Sequence, residues 1–211
     1  RGGGWVEIGD FAGGGAGSAL STGETMVPEH RLRMASAYDD SYHLTPARLL
    51  RNILHLGYRQ VINHYVGMSH YFRLEALGND FYVSLAGSAL NVACSAWHRD
   101  FVSRAKALGF DVILSLSYEL FDEHCWNDWK QRAEDGSPPL TGWVPASALL
   151  SPAHAGAMGY LQAVGRAFAA IARDAGAAVK FQVGEPWWWV MSDGRICLYD
   201  AAAVAAFAPV S

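Results

Sequence analysis

The stretch SPAHAGAMGYLQAVGRAFAAIARDAGAAVKFQVGEP, residues 151–186, contains the pattern that decides the fold. Ser151 and Pro152 are typical of a helix start, and apolar residues then recur at helical spacing up to Gly176. The predicted inward-facing positions are Met158, Leu161, Val164, Phe168 and Ile171. A strand-like run follows the glycine. The stretch therefore predicts a helix, a glycine stop and a β-strand in series.

The same unit occurs twice upstream. In residues 43–67, HLTPARLLRNILHLGYRQVINHYVG, Thr45 is a predicted N-cap with a proline at the first helical position. In residues 95–119, SAWHRDFVSRAKALGFDVILSLSYE, the predicted N-cap is Ser95. A glycine ends each helix before the next strand-like run. Repetition of this unit predicts strands that alternate with helices.

Alternation of this kind is typical of parallel sheets with right-handed crossovers. Asp200 is expected to cap a final alanine-rich helix. We therefore predict an α/β fold of the TIM-barrel type, with the chain covering about the first four β/α units, or half a barrel. The predicted strands lie near residues 32–38, 59–66, 110–118 and 178–184.

Composition limits the organisation of the chain. It has 211 residues, of which 51% are hydrophobic and 17% charged, as in a globular domain. We expect residues 1–27 to be a Gly-rich linker or the end of a preceding domain, and 28–211 to be the N-terminal half of a barrel domain. Because an open half-barrel exposes two sheet edges, we expect a longer protein, or a homo-oligomer that covers these edges.

Several functional classes are disfavoured. The net charge is -4 and no basic run occurs, so a nucleic-acid partner is not expected. No run of about 18 apolar residues could span a membrane, and no signal-peptide pattern is visible. The three cysteines, Cys94, Cys125 and Cys197, are far apart and form no CxxC, which disfavours disulfides and zinc. We expect neither a metal nor a cofactor.

The long insertions at 67–94 and 119–150 follow predicted strands, where α/β folds place their sites. Glu185 is the strongest catalytic candidate, because the adjacent indoles would favour its neutral, proton-donating form. A surface salt bridge is the alternative. Glu119 is either its acid/base partner or, as we favour, part of a polar pocket wall. Asp39 either caps a helix or lines the site.

Aromatic and polar side chains near the same strand ends suit a sugar, which presents C–H faces and a hydroxyl edge. We expect them to bind substrate, although part of the tryptophans would instead fill a small core beneath the loops. A metal site built on His64 and His70 is weaker, because no third ligand has suitable spacing. With Asp39, the predicted substrate-binding residues are His64, Tyr65, His70, Tyr118, Trp126, Trp187, Trp188 and Trp189.

Two resemblances sharpen these expectations. GEP at residues 184–186 resembles the Asn-Glu-Pro of TIM-barrel glycoside hydrolases, which implies that Glu185 is a general acid/base. Gly184 departs from the Asn that contacts the sugar 2-hydroxyl in that clan, and the clan's nucleophile would lie beyond this segment. Residues 34–72 and 181–200 are similar to barrel modules embedded in tail-associated proteins of bacteriophages and prophages.

These resemblances imply two functions. The first is a glycoside-hydrolase-like segment that binds a polysaccharide, such as a bacterial surface glycan, and cleaves it when the barrel is complete. The alternative is a non-catalytic structural or receptor-binding module of a phage tail, with other tail proteins as partners. The expected location is the bacterial cytoplasm during synthesis and then the virion tail.

Overall fold

The computed structural model describes residues 27–67, 70–184 and 190–210. Its centre is a four-stranded parallel sheet with the order β1-β2-β5-β8. The sheet strands are β1 (Met34–Ala37), β2 (Val61–Val66), β5 (Asp111–Leu116) and β8 (Phe181–Val183). The predicted α/β fold is therefore confirmed, and each observed strand lies within its predicted range.

Helices alternate with these strands. The helices are α1 (Tyr38–Ser41), α2 (Pro46–His55), α3 (Val92–Ala107), α4 (Ala155–Asp174) and α5 (Ala201–Phe207). The glycines predicted to end α2, α3 and α4 all adopt positive φ, at +85° for Gly57, +81° for Gly109 and +65° for Gly176. This left-handed conformation is the one that favours glycine after a helix.

Two of the predicted helix starts are wrong. Helix α3 begins at Val92 with Asn91 as its N-cap, four residues before the predicted cap Ser95, and α4 is capped by His154 rather than by Ser151. Thr45 and Asp200 cap α2 and α5 as predicted. Asparagine and serine are both good N-caps, so cap preference alone does not decide between Asn91 and Ser95 as the start of α3.

The sheet separates two environments. Helices α2, α3 and α4 pack side by side over one face, and the core lies between them and the sheet. Buried side chains of this helix-facing side include Ile62, Leu114 and Phe101. The opposite, concave face carries the alternate residues of the strands, because side chains on a strand point to opposite faces in turn.

The two long insertions are not irregular loops. The first contains an antiparallel hairpin, β3 (Arg73–Leu77) with β4 (Asp80–Ser84). The second contains a short antiparallel ribbon, β6 (Glu119–Phe121) with β7 (Ser147–Leu149). No described helix combines the length and the apolar character required to cross a membrane.

Asn91 joins α3 to the first insertion. Its side-chain oxygen accepts a hydrogen bond from Cys94 N at 2.7 Å, and its amide nitrogen donates to the carbonyl oxygens of His70 and Phe72. We expect N91A to lower the free energy of unfolding by about 2 kcal/mol, because it removes both the cap and the amide donors.

Urea denaturation would measure this effect, and N91S should recover only the capping share. N52A, at an exposed position of α2, is the control and should change stability little. A loss in N91A no larger than that in N52A would contradict the joining role of Asn91.

Candidate functional site

The carboxyl ends of the four parallel strands meet at one edge of the sheet. Gly67 follows β2, Ser117 follows β5 and Gly184 follows β8. Gly184 N donates to Leu116 O at 2.7 Å, which holds the chain after β8 against β5. A side chain at Gly184 would lie 3.1 Å from Ser115 Oγ, so the close approach of these two strands favours glycine.

Asp39 and His70 come together at this edge, as the sequence predicts for residues that follow adjacent strands. His70 Nδ1 lies 3.3 Å from Asp39 Oδ1, and the His70 ring stacks on Tyr42 with 4.3 Å between ring centroids. A Cβ on Gly67 would lie 1.6 Å from Asp39 Oδ2, so the absence of a side chain there makes room for the carboxylate. This arrangement orients an imidazole at the rim of the sheet.

The concave face beneath the rim is polar. Asn63 on β2 donates from Nδ2 to Gln182 Oε1 on β8 at 2.9 Å, across the intervening strand β5. Ser115 lies on the same face, because it pairs in register with Gln182, and Tyr65 does so because it pairs in register with Ser115. Branched apolar residues usually fill the interior of such barrels. Amides and hydroxyls here give the face hydrogen-bonding capacity.

His64 does not lie on the same side of the sheet as Tyr65, its neighbour among the predicted substrate-binding residues. It is buried on the helix-facing side, where its Nδ1 lies 2.8 Å from Ser36 Oγ and its ring stacks on Trp97 at 5.4 Å. Burial, together with the neighbouring His98, holds the pKa of His64 well below its ordinary value. Since Tyr65 is its neighbour on an extended strand, the two side chains face opposite sides of the sheet.

Glu119 and Tyr118 lie beyond the end of β5. Strand β5 ends at Leu116, before the predicted end of the strand at residue 118, and Glu119 begins β6. The side chain of Glu119 is buried, at 1% exposure. Tyr118 donates its hydroxyl to Met158 Sδ of α4 at 3.3 Å, and burial raises the pKa of Tyr118 to about 12.

Trp126 ties the two insertions together. Its Nε1 donates to Val83 O at 2.9 Å, and its indole stacks on Tyr82 with 4.7 Å between centroids. Trp129 packs nearby against Tyr160, at 5.6 Å. Both indoles are partly buried against the core. These contacts match the expected alternative, in which some tryptophans fill a small core beneath the loops.

Glu185, Trp187, Trp188 and Trp189 lie outside the described residues. Their predicted roles in proton donation and sugar stacking therefore stay predictions. In residues 27–67, 70–184 and 190–210, no three His, Cys, Asp or Glu side chains are grouped so that they could hold a metal ion.

Residues 28–211 match the family model described as the non-contractile tail sheath protein TIM barrel. The chain belongs to this family. The match confirms both the TIM-barrel class and the predicted resemblance to barrel modules of tail proteins.

A search of solved structures adds the cycloalternan-degrading enzyme from Trueperella pyogenes, with a TM-score of 0.40 and 14% sequence identity. The likeness covers 85% of this chain and 31% of that enzyme. The chain thus spans about a third of that enzyme's length. The likeness is too distant to indicate an activity for this chain.

The polar concave face was missed by sequence reasoning. Only Tyr65 of this face was predicted. The signal for the others was present, since Asn63 lies between Ile62 and His64 on β2, and Ser115 lies between Leu114 and Leu116 on β5. Assigning every second strand residue to the concave face would have found them.

The contacts of Trp126 predict a structural role. W126F keeps an aromatic ring beside Tyr82 but leaves Val83 O without its donor, so the free energy of unfolding should fall by about 1–2 kcal/mol. Urea denaturation would measure the change. W143F is a matched control, because Trp143 is 44% exposed, and it should leave stability nearly unchanged. Equal effects of the two substitutions would contradict this role.

Proposed function

We propose that this chain is a structural barrel module of a bacteriophage tail sheath protein, which acts by contacting other tail proteins in the virion. The family match over residues 28–211 is the observation that carries this proposal. A sheath subunit must present contact surfaces to its neighbours, so the exposed apolar surface of the chain is relevant.

Large apolar side chains are exposed at many positions of the described chain, including the β3–β4 hairpin and strand β8. The β3–β4 hairpin exposes Leu77 and Phe81, at 57% and 52%. Strand β8 exposes Phe181 and Val183 beside an open groove of about 450 Å³ against α4. Met158 and Leu161, predicted to face inward, are partly buried against the core and also line this groove. Exposed apolar patches are typical of protein interaction sites, which supports a role in assembly.

The proposal extends to domain organisation. In the part of the chain that the structure describes, β1 and β8 each pair with one neighbour in the sheet. A closed barrel of this class has eight strands. We propose that residues 28–211 form the N-terminal half of the barrel, that residues 1–27 are a linker or the end of a preceding domain, and that further chain or a second copy covers the open edges.

A glycan-binding or glycan-cleaving barrel is the second candidate. The polar concave face, with Asn63, Ser115 and Gln182, favours it because such groups can bind hydroxyls. The proposed acid, Glu185, would protonate the leaving oxygen, while a carboxylate from elsewhere would attack the sugar or activate water. The side chain of His64 faces the helices and not the rim, which leaves one expected residue fewer there, so we favour the structural role.

Labelling of particles tests the structural role. Antibodies raised against residues 28–211 should decorate the tails of purified virions of the encoding phage, and should leave the capsids unlabelled. Immunogold electron microscopy would show the position of the label. Purified, intact virions that lack the protein by mass spectrometry would contradict the proposal.

Glycan assays separate the two candidates. The full-length protein should release no sugar from a panel of bacterial surface polysaccharides, and E185Q should behave like the wild type. Binding and hydrolysis would be scored separately by sedimentation and by reducing-end release. Cleavage by the wild type that E185Q abolishes would establish the glycosidase function instead.

A further inference from the structure

Two buried histidines meet between the sheet and helix α3. His64 lies on β2 and His98 on α3, and both side chains have 0% exposure. Their ring centroids are 5.3 Å apart in an edge-to-face arrangement. Histidine is less often fully buried than the apolar residues are. The contact between these two rings joins β2 to α3.

The hydrogen bonds of the pair determine where a proton would bind. His98 Nδ1 lies 2.9 Å from Cys94 O, and a carbonyl can only accept, so this nitrogen carries the hydrogen. His98 Nε2 is then the basic atom. The Nε2 atoms of both His64 and His98 are buried, and neither has a hydrogen-bond partner among the described residues. A proton added to His98 would thus create a charge with no acceptor.

Among the described residues, no acidic side chain raises the pKa of either histidine. The rings of Trp97 and Phe101 contact His64, and Phe168 of α4 packs against His98. These are large apolar surfaces, against which an imidazolium is poorly solvated.

The polar groups that face the pair are neutral. Ser36 faces His64 from β1, Tyr38 of α1 lies 4.6 Å from His98 between ring centroids, and Cys94 lies on α3 beside His98. Burial raises the pKa of the Cys94 thiol to about 12 and raises that of Tyr38 as well. The charge of Asp39 acts on Tyr38 and Cys94, where it raises both pKa values further.

Proton uptake must therefore oppose folding. Burial lowers the pKa of His98 to about 4, despite its hydrogen bond to Cys94 O, and holds that of His64 well below its ordinary range. An unfolded histidine has a pKa of about 6.5. The free energy of unfolding is therefore highest above a pH of about 6.5. It falls as the pH is lowered towards the pKa values of the folded histidines, because the unfolded state binds more protons in this range.

We propose that the His64–His98 pair is an acid-sensitive contact that holds helix α3 on the sheet at neutral pH and releases it on acidification. This inference is independent of the role in a tail sheath. Release of α3 would uncover the apolar side chains beneath it, so acidification would expose new surface for association with other proteins.

Denaturation as a function of pH tests the contact in the full-length protein. Between pH of about 6.5 and about 5, the folding equilibrium constant should fall by up to about tenfold per pH unit for each histidine. The double variant H64Q/H98Q should lose this dependence, whereas H43Q, at an exposed histidine, should keep it. An unchanged pH dependence in the double variant would overturn the proposal.

Wild-type measurements keep the test decisive if the double variant does not fold. Histidine C2-hydrogen exchange followed by mass spectrometry should show that His64 and His98 exchange more slowly than the exposed His43. It should also show that His64 and His98 titrate below the pKa of about 6.5 of an unfolded histidine. Amide exchange, corrected for intrinsic rates, should show that α3 and β2 lose protection at a pH of about 5. Ordinary titration of both histidines, or unchanged protection of α3, would overturn the proposal.

Discussion

The pairing of β2 with β5 is the constraint on which the rest of the molecule depends. Six consecutive residues pair in parallel register, from Val61 with Asp111 to Val66 with Leu116. Because the side-chain period of a strand is two, this register assigns every residue of both strands to either the helices or the concave face. A slip by one residue would exchange the apolar core for the polar face, so the register is strongly determined.

The sequence was sufficient for the parts of the fold that local chemistry determines. Helix periodicity located α2, α3 and α4, and the glycines after them adopt the left-handed conformation that ends a helix. Strands β2, β5 and β8 were found because each follows such a glycine, and β1 was found from its own run of residues upstream of the first helix. Each of these signals extends over only a few residues, so they can be recognised without knowledge of distant contacts.

Long-range contacts determine what the sequence could not predict. Asn91 and Ser95 are equivalent as caps in isolation, and the amide bonds of Asn91 to the carbonyl oxygens of His70 and Phe72 favour the earlier start. The β6–β7 pairing likewise joins residues that are far apart in the chain, such as Phe121 and Ser147. The β3–β4 hairpin is different, because its Gly78-Asn79 turn is a local signal that was missed. For the site, the rim position of Asp39 with His70 followed from strand order, whereas the burial of Glu119 required the ribbon to be known.

The indole of Trp126 has a consequence for how this part of the chain can evolve. It donates a hydrogen bond to Val83 O and stacks on Tyr82, and the nearby His124 Nδ1 lies 2.9 Å from Phe81 O. The segment after β6 thus contacts two backbone carbonyl groups of the segment that forms the β3–β4 hairpin. A homologue that shortens one of the two segments would leave polar atoms of the other segment, such as Val83 O or Trp126 Nε1, without a hydrogen-bond partner. Among homologues, a change in the length of one segment should therefore be accompanied by a change in the other, while the sheet and helices that carry both segments stay the same.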